Sequence, residues 1–516
     1  MTTLLASSRK VQFTGKHKEV VASAHFRLMM LLLVFGAFFA VIAGRLISLS
    51  ILEDTKTVRA SSPIFVPARG DIVDRNGVPL ARTMQGYAIR VVPARVLGDK
   101  KLLARQLAEV FPDTSQQEFF DKLNGSRPTY LRRRALPRDA KKIHALGEIG
   151  IEFPRENERL YPQRDLAAHV LGYVNADGEG VMGMERVLND RLQDEFTRGA
   201  PAVLSIDSRV QAALESELMT AMTINDARGA AGIILDVHTG EVMALASLPV
   251  FDPNKIRKEM MKHQTNEVTQ SVFELGSTFK PLTIAAALDA GTVTDLAVRY
   301  NAMEPIKVAG FTIKDDHSQG RYLNVPETLV HSSNIVTARI ADNLGKEGME
   351  KMIRSLGFDE RPHIELVERG HPIWPKRWGR VTNMTVAYGH GIAVTPLHLA
   401  SAYSALVNGG IWRPATLLKV ESGKEPQGRR VFKAATSARM RQLLRMIVSS
   451  GTGRKADAPG YRIGGKTGSA EKPAAGGYNK TSLVSTFAAA FPMDNPRYVV
   501  IAMLDEPKGR VETGFQ

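Results

Sequence analysis

Ser277 and Lys280 have the residue types and the spacing of a nucleophile and its base. A serine hydroxyl attacks a carbonyl efficiently only when a neighbouring group accepts its proton. Positions i and i+3 lie on one face of a helix, so Lys280 can serve as that group once its pKa falls from about 10.4. The Ser-x-x-Lys pattern is weak by itself, because Ser7 and Lys10 repeat it. An N-cap serine followed by a surface lysine has the same pattern.

A second polar segment occupies residues 332–334, among apolar neighbours. Ser332 and Asn334 would present a hydroxyl and an amide from a buried turn. An ordinary turn or cap also contains these residue types. The segment therefore predicts a site only in combination with other motifs.

A third segment, residues 464–469, combines glycines with a lysine and two hydroxyls. Glycines in an edge strand allow a ligand to approach the backbone closely. Lys466 and Thr467 would hold a carboxylate, and Gly468 has no side chain to block an acyl group. A glycine-rich bulge is the alternative.

The three segments in this order resemble the penicillin-recognising serine acyl transferases, a fold shared by penicillin-binding proteins and serine β-lactamases. Residues 69–77 and 388–391 resemble landmarks of the class B penicillin-binding proteins, and within that class they are most similar to the cell-division enzymes. The resemblance extends from about residue 28 to the end of the chain. Leu275 and Ser469 stand where the family usually has proline and threonine. The family usually adds a strand and a helix beyond the position of Gln516, so we expect that the last domain lacks its C-terminal end.

The resemblance implies a D,D-transpeptidase that cross-links peptidoglycan stem peptides through a serine acyl-enzyme, without a metal or cofactor. Neutral Lys280 would activate Ser277, and Ser332 would relay a proton to the departing D-alanine. Asn334 would orient both the substrate amide and Lys280. The implied catalytic residues are Ser277, Lys280, Ser332, Asn334 and Lys466, the substrate-binding residues are Thr467, Gly468 and Ser469, and the backbone N–H groups of Ser277 and Ser469 would form the oxyanion hole.

Helix and strand signals surround these motifs. Alternating or short apolar runs predict strands, Gly291 ends a predicted helix, and Asp207 is a predicted N-cap. The predicted strands cover residues 231–235, 242–246, 461–463, 487–491 and 498–504. The predicted helices cover residues 101–111, 279–288 and 384–407, and a further helix is predicted to begin at residue 208.

The chain is long enough for several domains. We predict an α+β protein with an N-terminal transmembrane helix, an elongated mixed α/β pedestal and a transpeptidase domain whose antiparallel sheet is flanked by helices. A turn at Asn76-Gly77 breaks the first pedestal strand. The predicted boundaries are a tail over residues 1–27, a transmembrane helix over 28–52, a dimerisation-type pedestal over 53–200 and a transpeptidase domain over 201–516.

Residues 28–44 are uncharged and almost wholly apolar, and the apolar run resumes after Arg45. A span of roughly 20 apolar residues crosses a bilayer. Because the first 27 residues carry five Lys and Arg and one Glu, the positive-inside rule predicts a cytoplasmic N-terminus, an inner-membrane anchor and an extracytoplasmic catalytic domain. A cleaved signal peptide is the alternative, but no small-residue cleavage site follows the apolar run.

The net charge of +15 permits nucleic-acid binding, but the basic residues are spread along the chain, so we predict no nucleic-acid partner. The absence of cysteine excludes disulfides and thiolate chemistry. The resemblance implies stem peptides as substrates, β-lactams as covalent inhibitors, and an FtsW-type glycan polymerase and divisome proteins as partners. Alternative functions are an elongation-specific transpeptidase, a β-lactamase, and a β-lactam sensor or division scaffold.

Overall fold

The computed structural model describes residues 15–52, 69–256, 258–474 and 477–509. The Ser7–Lys10 repeat, the linker over residues 53–62 and the C-terminal residues from 510 onward lie outside the described residues. The N-terminal helix α1 (Gly15–Leu52) contains an apolar stretch, Ala22–Gly44, that is long enough to cross a membrane and is exposed throughout. The segment predicted to cross the membrane is therefore helical, and its helix begins at Gly15, within the residues predicted to form the tail.

The pedestal is built on a mixed sheet with the strand order β3-β2-β1-β6, and β4 and β5 also pair with β2. The predicted turn at Asn76-Gly77 joins β1 to β2, and Gly77 has the positive φ of 86° that glycine accepts without strain. The pedestal elements are β1 (Ile72–Val73), β2 (Pro79–Val91), α2 (Lys100–Val110), α3 (Gln116–Leu123), β3 (Thr129–Ala135), α4 (Pro137–His144), β4 (Ile151–Glu152), β5 (Arg155–Leu160), α5 (Ala168–Leu171), α6 (Gly183–Val187) and α7 (Asn189–Gln193). Strand β6 (Ala202–Val203), just beyond the predicted boundary at residue 200, pairs in parallel with β1.

Buried charges hold the base of the pedestal together. Both carboxylate oxygens of Glu185 accept hydrogen bonds at 2.7 Å, one from Arg69 and one from Arg159, and the three side chains are almost completely buried. Asp74 accepts bonds from the backbone N–H and hydroxyl of Ser208, where the C-terminal part of the chain begins its first helix. These contacts join the pedestal to the part of the chain that carries the three motifs.

The C-terminal part contains an antiparallel sheet with the strand order β15-β16-β17-β7-β8. Further elements lie around this sheet. The bounds are α8 (Ser208–Ile224), β7 (Gly229–Asp236), β8 (Val242–Leu248), α9 (Lys280–Ala290), β9 (Tyr300–Asn301), β10 (Ile306–Val308), β11 (Phe311–Ile313), β12 (Tyr322–Leu323), α10 (Val325–Val330), α11 (Asn334–Ser355, interrupted at Gly345), α12 (Arg380–Val386), α13 (Pro396–Val407), β13 (Ile411–Trp412), β14 (Arg429–Arg430), α14 (Ala434–Ser450), β15 (Gly464–Ala474), β16 (Gly477–Phe491) and β17 (Tyr498–Asp505).

Helices cover both faces of this sheet, because alternate residues of a strand point to opposite sides. On one face, Ala230 of β7 packs in a cluster with Leu214 and Leu218 of α8. On the other face, Ile233 of β7 belongs to the large core that includes α9, α13 and the base of the pedestal. The head of the pedestal has a separate core around β2, β3, α2 and α3.

Most predicted elements are present, including α8 with its N-cap Asp207 and α9 ending at Gly291. The prediction of one helix over residues 384–407 is wrong. Gly389 and Gly391 adopt positive φ angles of 83° and 81°, which interrupt a helix, and a new helix starts at Pro396. The predicted strand over residues 461–463 is also absent, and β15 begins at Gly464.

Candidate active site

Ser277 lies in a short 3-10 turn, Gly276–Phe279, that leads directly into α9. The turn packs against β15 so closely that a Cβ atom on Gly276 would lie 2.4 Å from the carbonyl oxygen of Ser469. Gly276 also has a positive φ of 54°. Only glycine satisfies both conditions, and the turn thus brings the backbone at Ser277 beside the backbone of Ser469.

Hydrogen bonds from buried side chains fix this turn. The hydroxyl of Thr278 donates to the carbonyl of Leu275 at 2.8 Å, and the hydroxyl of Tyr403 donates to the carbonyl of Thr278 at 2.8 Å. Tyr403 is fully buried in α13. A nucleophile held in this way needs little reorganisation before it reacts.

Lys280 is the first residue of α9 and is fully buried. Its ammonium group donates to the hydroxyl of Ser332 at 3.0 Å and also to the Ser332 carbonyl. Burial lowers the pKa of Lys280 to about 7, although the carboxylates of Asp315 and Asp316 act in the opposite direction. A large fraction of Lys280 is therefore neutral near pH 7, as a proton acceptor must be.

Lys466, on β15, is the second fully buried lysine of the site. Its ammonium donates to the carbonyl of Thr467 at 2.9 Å and lies 3.5 Å from the Thr467 hydroxyl. Burial, and then the charge of Lys280, hold the pKa of Lys466 well below its usual range. The two lysines thus interact electrostatically, and a bound carboxylate would favour the charged form of either.

The segment around Ser332 is a tight turn before α11, as predicted. Ser332 has a positive φ of 59°, which is uncommon for a residue with a side chain. The side-chain amide of Asn334 donates to the carbonyl of Lys314 at 3.0 Å. Lys280 donates hydrogen bonds to Ser332. That Asn334 orients Lys280 therefore stays a prediction.

Strand β15 forms one wall of the site, with Lys466, Thr467 and Ser469 on it. The Thr467 hydroxyl donates to the hydroxyl of Thr452 at 2.8 Å. A Cβ atom on Gly468 would lie 2.6 Å from the carbonyl of Leu275, so this glycine allows the catalytic turn to pack on the strand. The sequence predicted that Gly468 leaves room for the acyl group. The close packing of Gly468 against Leu275 is a different role, which was not predicted.

The sequence analysis missed several residues that surround these side chains. Asp315 and Asp316 follow β11 and act on Lys280, and His390, whose pKa is lowered mainly by burial, is also affected by the charge of Lys280. Thr452, which follows α14, and Tyr403 of α13 also contact the site. His390 lies in the 388–391 landmark, to which no chemical role was assigned, and the other residues belong to no local pattern with known chemistry, so their proximity depends on the tertiary fold.

Two family models match the chain. The penicillin-binding protein transpeptidase domain matches residues 230–515, and the penicillin-binding protein dimerisation domain matches residues 64–200. The chain belongs to the penicillin-binding protein family. The order of a dimerisation domain and a transpeptidase domain confirms the resemblance to the class B penicillin-binding proteins.

Relatives of this penicillin-binding protein include FtsI of Caulobacter vibrioides, described as a probable peptidoglycan D,D-transpeptidase, with 40% identity over 87% of this chain and 78% of the relative. The peptidoglycan D,D-transpeptidase FtsI of Escherichia coli is 29% identical over 86% of this chain and 79% of the relative. The structure is similar to penicillin-binding protein 3 of Mycobacterium tuberculosis in complex with aztreonam. That similarity has a TM-score of 0.68 and 26% identity, and it covers 86% of this chain and 90% of that one.

Proposed function

We propose that this penicillin-binding protein is a serine D,D-transpeptidase that cross-links peptidoglycan stem peptides during septal wall synthesis. The observation that supports it most is the placement of a buried lysine of lowered pKa, Lys280, between the turn of Ser277 and the hydroxyl of Ser332. This contact supports the proposed roles of Ser277, Lys280 and Ser332, and the roles of Asn334 and Lys466 are proposed by resemblance to the family.

In the first half-reaction, the Lys280 amine takes the Ser277 proton while the serine oxygen bonds to the carbonyl carbon between two terminal D-alanines. The oxyanion accepts hydrogen bonds from the backbone N–H groups of Ser277 and Ser469, each such donor being worth about 2.7–4 kcal/mol. The C–N bond then breaks, and the proton passes from Lys280 through the Ser332 hydroxyl, 3.0 Å away, to the departing amine. An acyl-enzyme remains.

In the second half-reaction, an amine of another stem peptide attacks the acyl carbon and releases Ser277. The same two N–H groups stabilise the second oxyanion, and Lys280 accepts the proton that the attacking amine loses and returns it to the departing Ser277 oxygen, which leaves both residues as they began. Lys466 and Thr467 bind the terminal carboxylate of the donor during the first half-reaction only, because that carboxylate leaves with the D-alanine. Gly468 lets the catalytic turn approach the strand, and Ser469 contributes its N–H group in both half-reactions.

The membrane topology and the domain boundaries are part of the proposal. The basic residues before the span Ala22–Gly44 favour a cytoplasmic N-terminus and an extracytoplasmic catalytic domain. We infer a pedestal over residues 53–200 and a transpeptidase domain over 201–516. By resemblance, an FtsW-type glycan polymerase and divisome proteins are the partners of the anchor and the pedestal.

Incubating the purified protein with a donor stem peptide and a second, amine-bearing stem peptide tests the proposal. We expect a cross-linked product whose mass equals the two peptides minus one D-alanine, and no product from the Ser277→Ala variant. A β-lactam sensor would be acylated by penicillin but would form no cross-link. Acylation without cross-linking in the presence of both peptides would therefore contradict the transpeptidase assignment.

A further inference from the structure

The turn at Ser332 needs an external support. The backbone of Ser332 is in the left-handed region, at φ 59°, where a residue with a side chain is strained and persists only if its surroundings hold it. Both the hydroxyl and the carbonyl of Ser332 accept hydrogen bonds from Lys280. Any relaxation of this turn would therefore displace the proton relay from its base.

Asp315 accepts hydrogen bonds from residues that follow Ser332. One of its carboxylate oxygens accepts from the hydroxyl of Ser333 at 2.8 Å, and the other accepts from the backbone N–H of Ile335 at 2.9 Å. The preceding carbonyl, that of Lys314, accepts from the Asn334 amide at 3.0 Å. Lys314 and Asp315 thus hold the three consecutive residues that follow Ser332, which are Ser333, Asn334 and Ile335.

The support is itself rigid. Ile313, two residues before Asp315, is buried in a small cluster with Ala338 of α11 and Met384 of α12. Ser333 is also buried, caps α11 by accepting from the N–H of Val336 at 3.2 Å, and donates its own N–H to the carbonyl of Thr328 at 2.9 Å. A carboxylate at the start of a helix adds a favourable interaction with the helix dipole.

We propose that Asp315 is a positioning residue for acylation: by holding Ser333 and Ile335, it fixes Ser332 against Lys280. Among the described residues, the hydrogen bonds of Asp315 reach Ser332 through Ser333 and Ile335, whereas its charge acts separately on Lys280 by raising the pKa of that lysine. The inference rests on the proposed function of Ser277 and Lys280. It adds a role for an aspartate that lies outside the three motifs.

Acylation kinetics with a fluorescent penicillin test this role in the full-length protein. We expect Asp315→Ala to lower the first-order acylation rate by about 10- to 100-fold, because small displacements of a catalytic group cost this much, while the non-covalent dissociation constant of the penicillin changes little. Asp315→Asn keeps an acceptor oxygen for the N–H of Ile335 and should still fold, with a smaller loss of rate. Glu304→Gln removes one charge from the exposed loop before β10 and should acylate like the wild type.

A double-mutant cycle separates positioning from a purely structural role. Ser333→Ala removes the same hydrogen bond together with the cap on Val336, so the loss of rate in the double variant should be smaller than the product of the two single losses. Additive losses of rate, or a wild-type rate in Asp315→Ala, would overturn the inference and leave the proposed function intact. A wild-type protein that is not labelled at all would instead refute the proposed function.

Discussion

Replacing Lys280 by methionine should lower the second-order rate constant of acylation by penicillin about 100- to 10,000-fold, which is the usual contribution of a positioned proton acceptor. Methionine fills a similar volume and tolerates a buried position, so the variant should fold. The loss is expected because Lys280, which is fully buried and bonded to Ser332, is the proposed acceptor of the Ser277 proton. Stopped-flow or quenched-flow kinetics with a fluorescent penicillin measure it.

Lys472→Met is the matched control, since Lys472 lies further along β15 and forms ion pairs with Asp505 and Glu506. It should acylate at close to the wild-type rate. A Lys280→Met variant with the wild-type rate constant would mean that another group accepts the proton.

The pH dependence of acylation gives an independent readout of Lys280. Because the neutral amine is the active form and burial lowers its pKa to about 7, the rate should rise through about pH 7 and level off above it. Asp316 raises the pKa of Lys280, so Asp316→Asn should move this rise to lower pH. Asp315, Lys466 and His390 are further titratable groups whose charges interact with Lys280. A profile that is flat between pH 5 and 9 in both proteins would contradict the assignment of the base.

The second large effect concerns the stability of the pedestal. Glu185→Ala should destabilise it by about 3–5 kcal/mol, because the variant leaves buried guanidinium groups without their carboxylate. Arg69 and Arg159 each donate to Glu185 at 2.7 Å, and the Glu185 side chain is completely buried. Hydrogen exchange of the backbone amides of β2 and β5 measures the loss locally, which suits a chain of several domains.

Glu109→Ala is the control for this variant. Glu109 forms an exposed pair with Arg105 on α2, and pairs of that kind contribute about 0.5 kcal/mol or less. Exchange in β2 and β5 should be more than about 100-fold faster in Glu185→Ala and almost unchanged in Glu109→Ala. Equal exchange in both variants would show that the buried triad does not stabilise the pedestal.

The sequence predicted the site better than the path of the chain around it. Ser277, Ser332 and Lys466 could be grouped because each belongs to a short motif whose chemical role is incomplete without the others. The helix predicted over residues 384–407 failed because apolar periodicity continued across two glycines. Their positive φ angles and the following Pro396 end one helix and begin another.

The residues that support the site could not be predicted, for a physical reason. Asp315 reaches Ser333 only because β11 packs on α11, and Thr452 reaches Thr467 only because α14 ends beside β15. Gly468 was assigned to substrate access, whereas its contact with Leu275 becomes visible only when the catalytic turn and the strand are placed together. Contacts of this kind depend on tertiary packing and leave no periodic signal in the sequence.

We propose that Ser277 is the residue that becomes acylated. Mass spectrometry of peptides from the penicillin-treated, full-length protein locates the adduct. We expect the mass of one penicilloyl group on the peptide that contains Ser277, and no adduct in Ser277→Ala. A covalent adduct on any other residue of the wild-type protein, or undiminished labelling of Ser277→Ala, would contradict the claim.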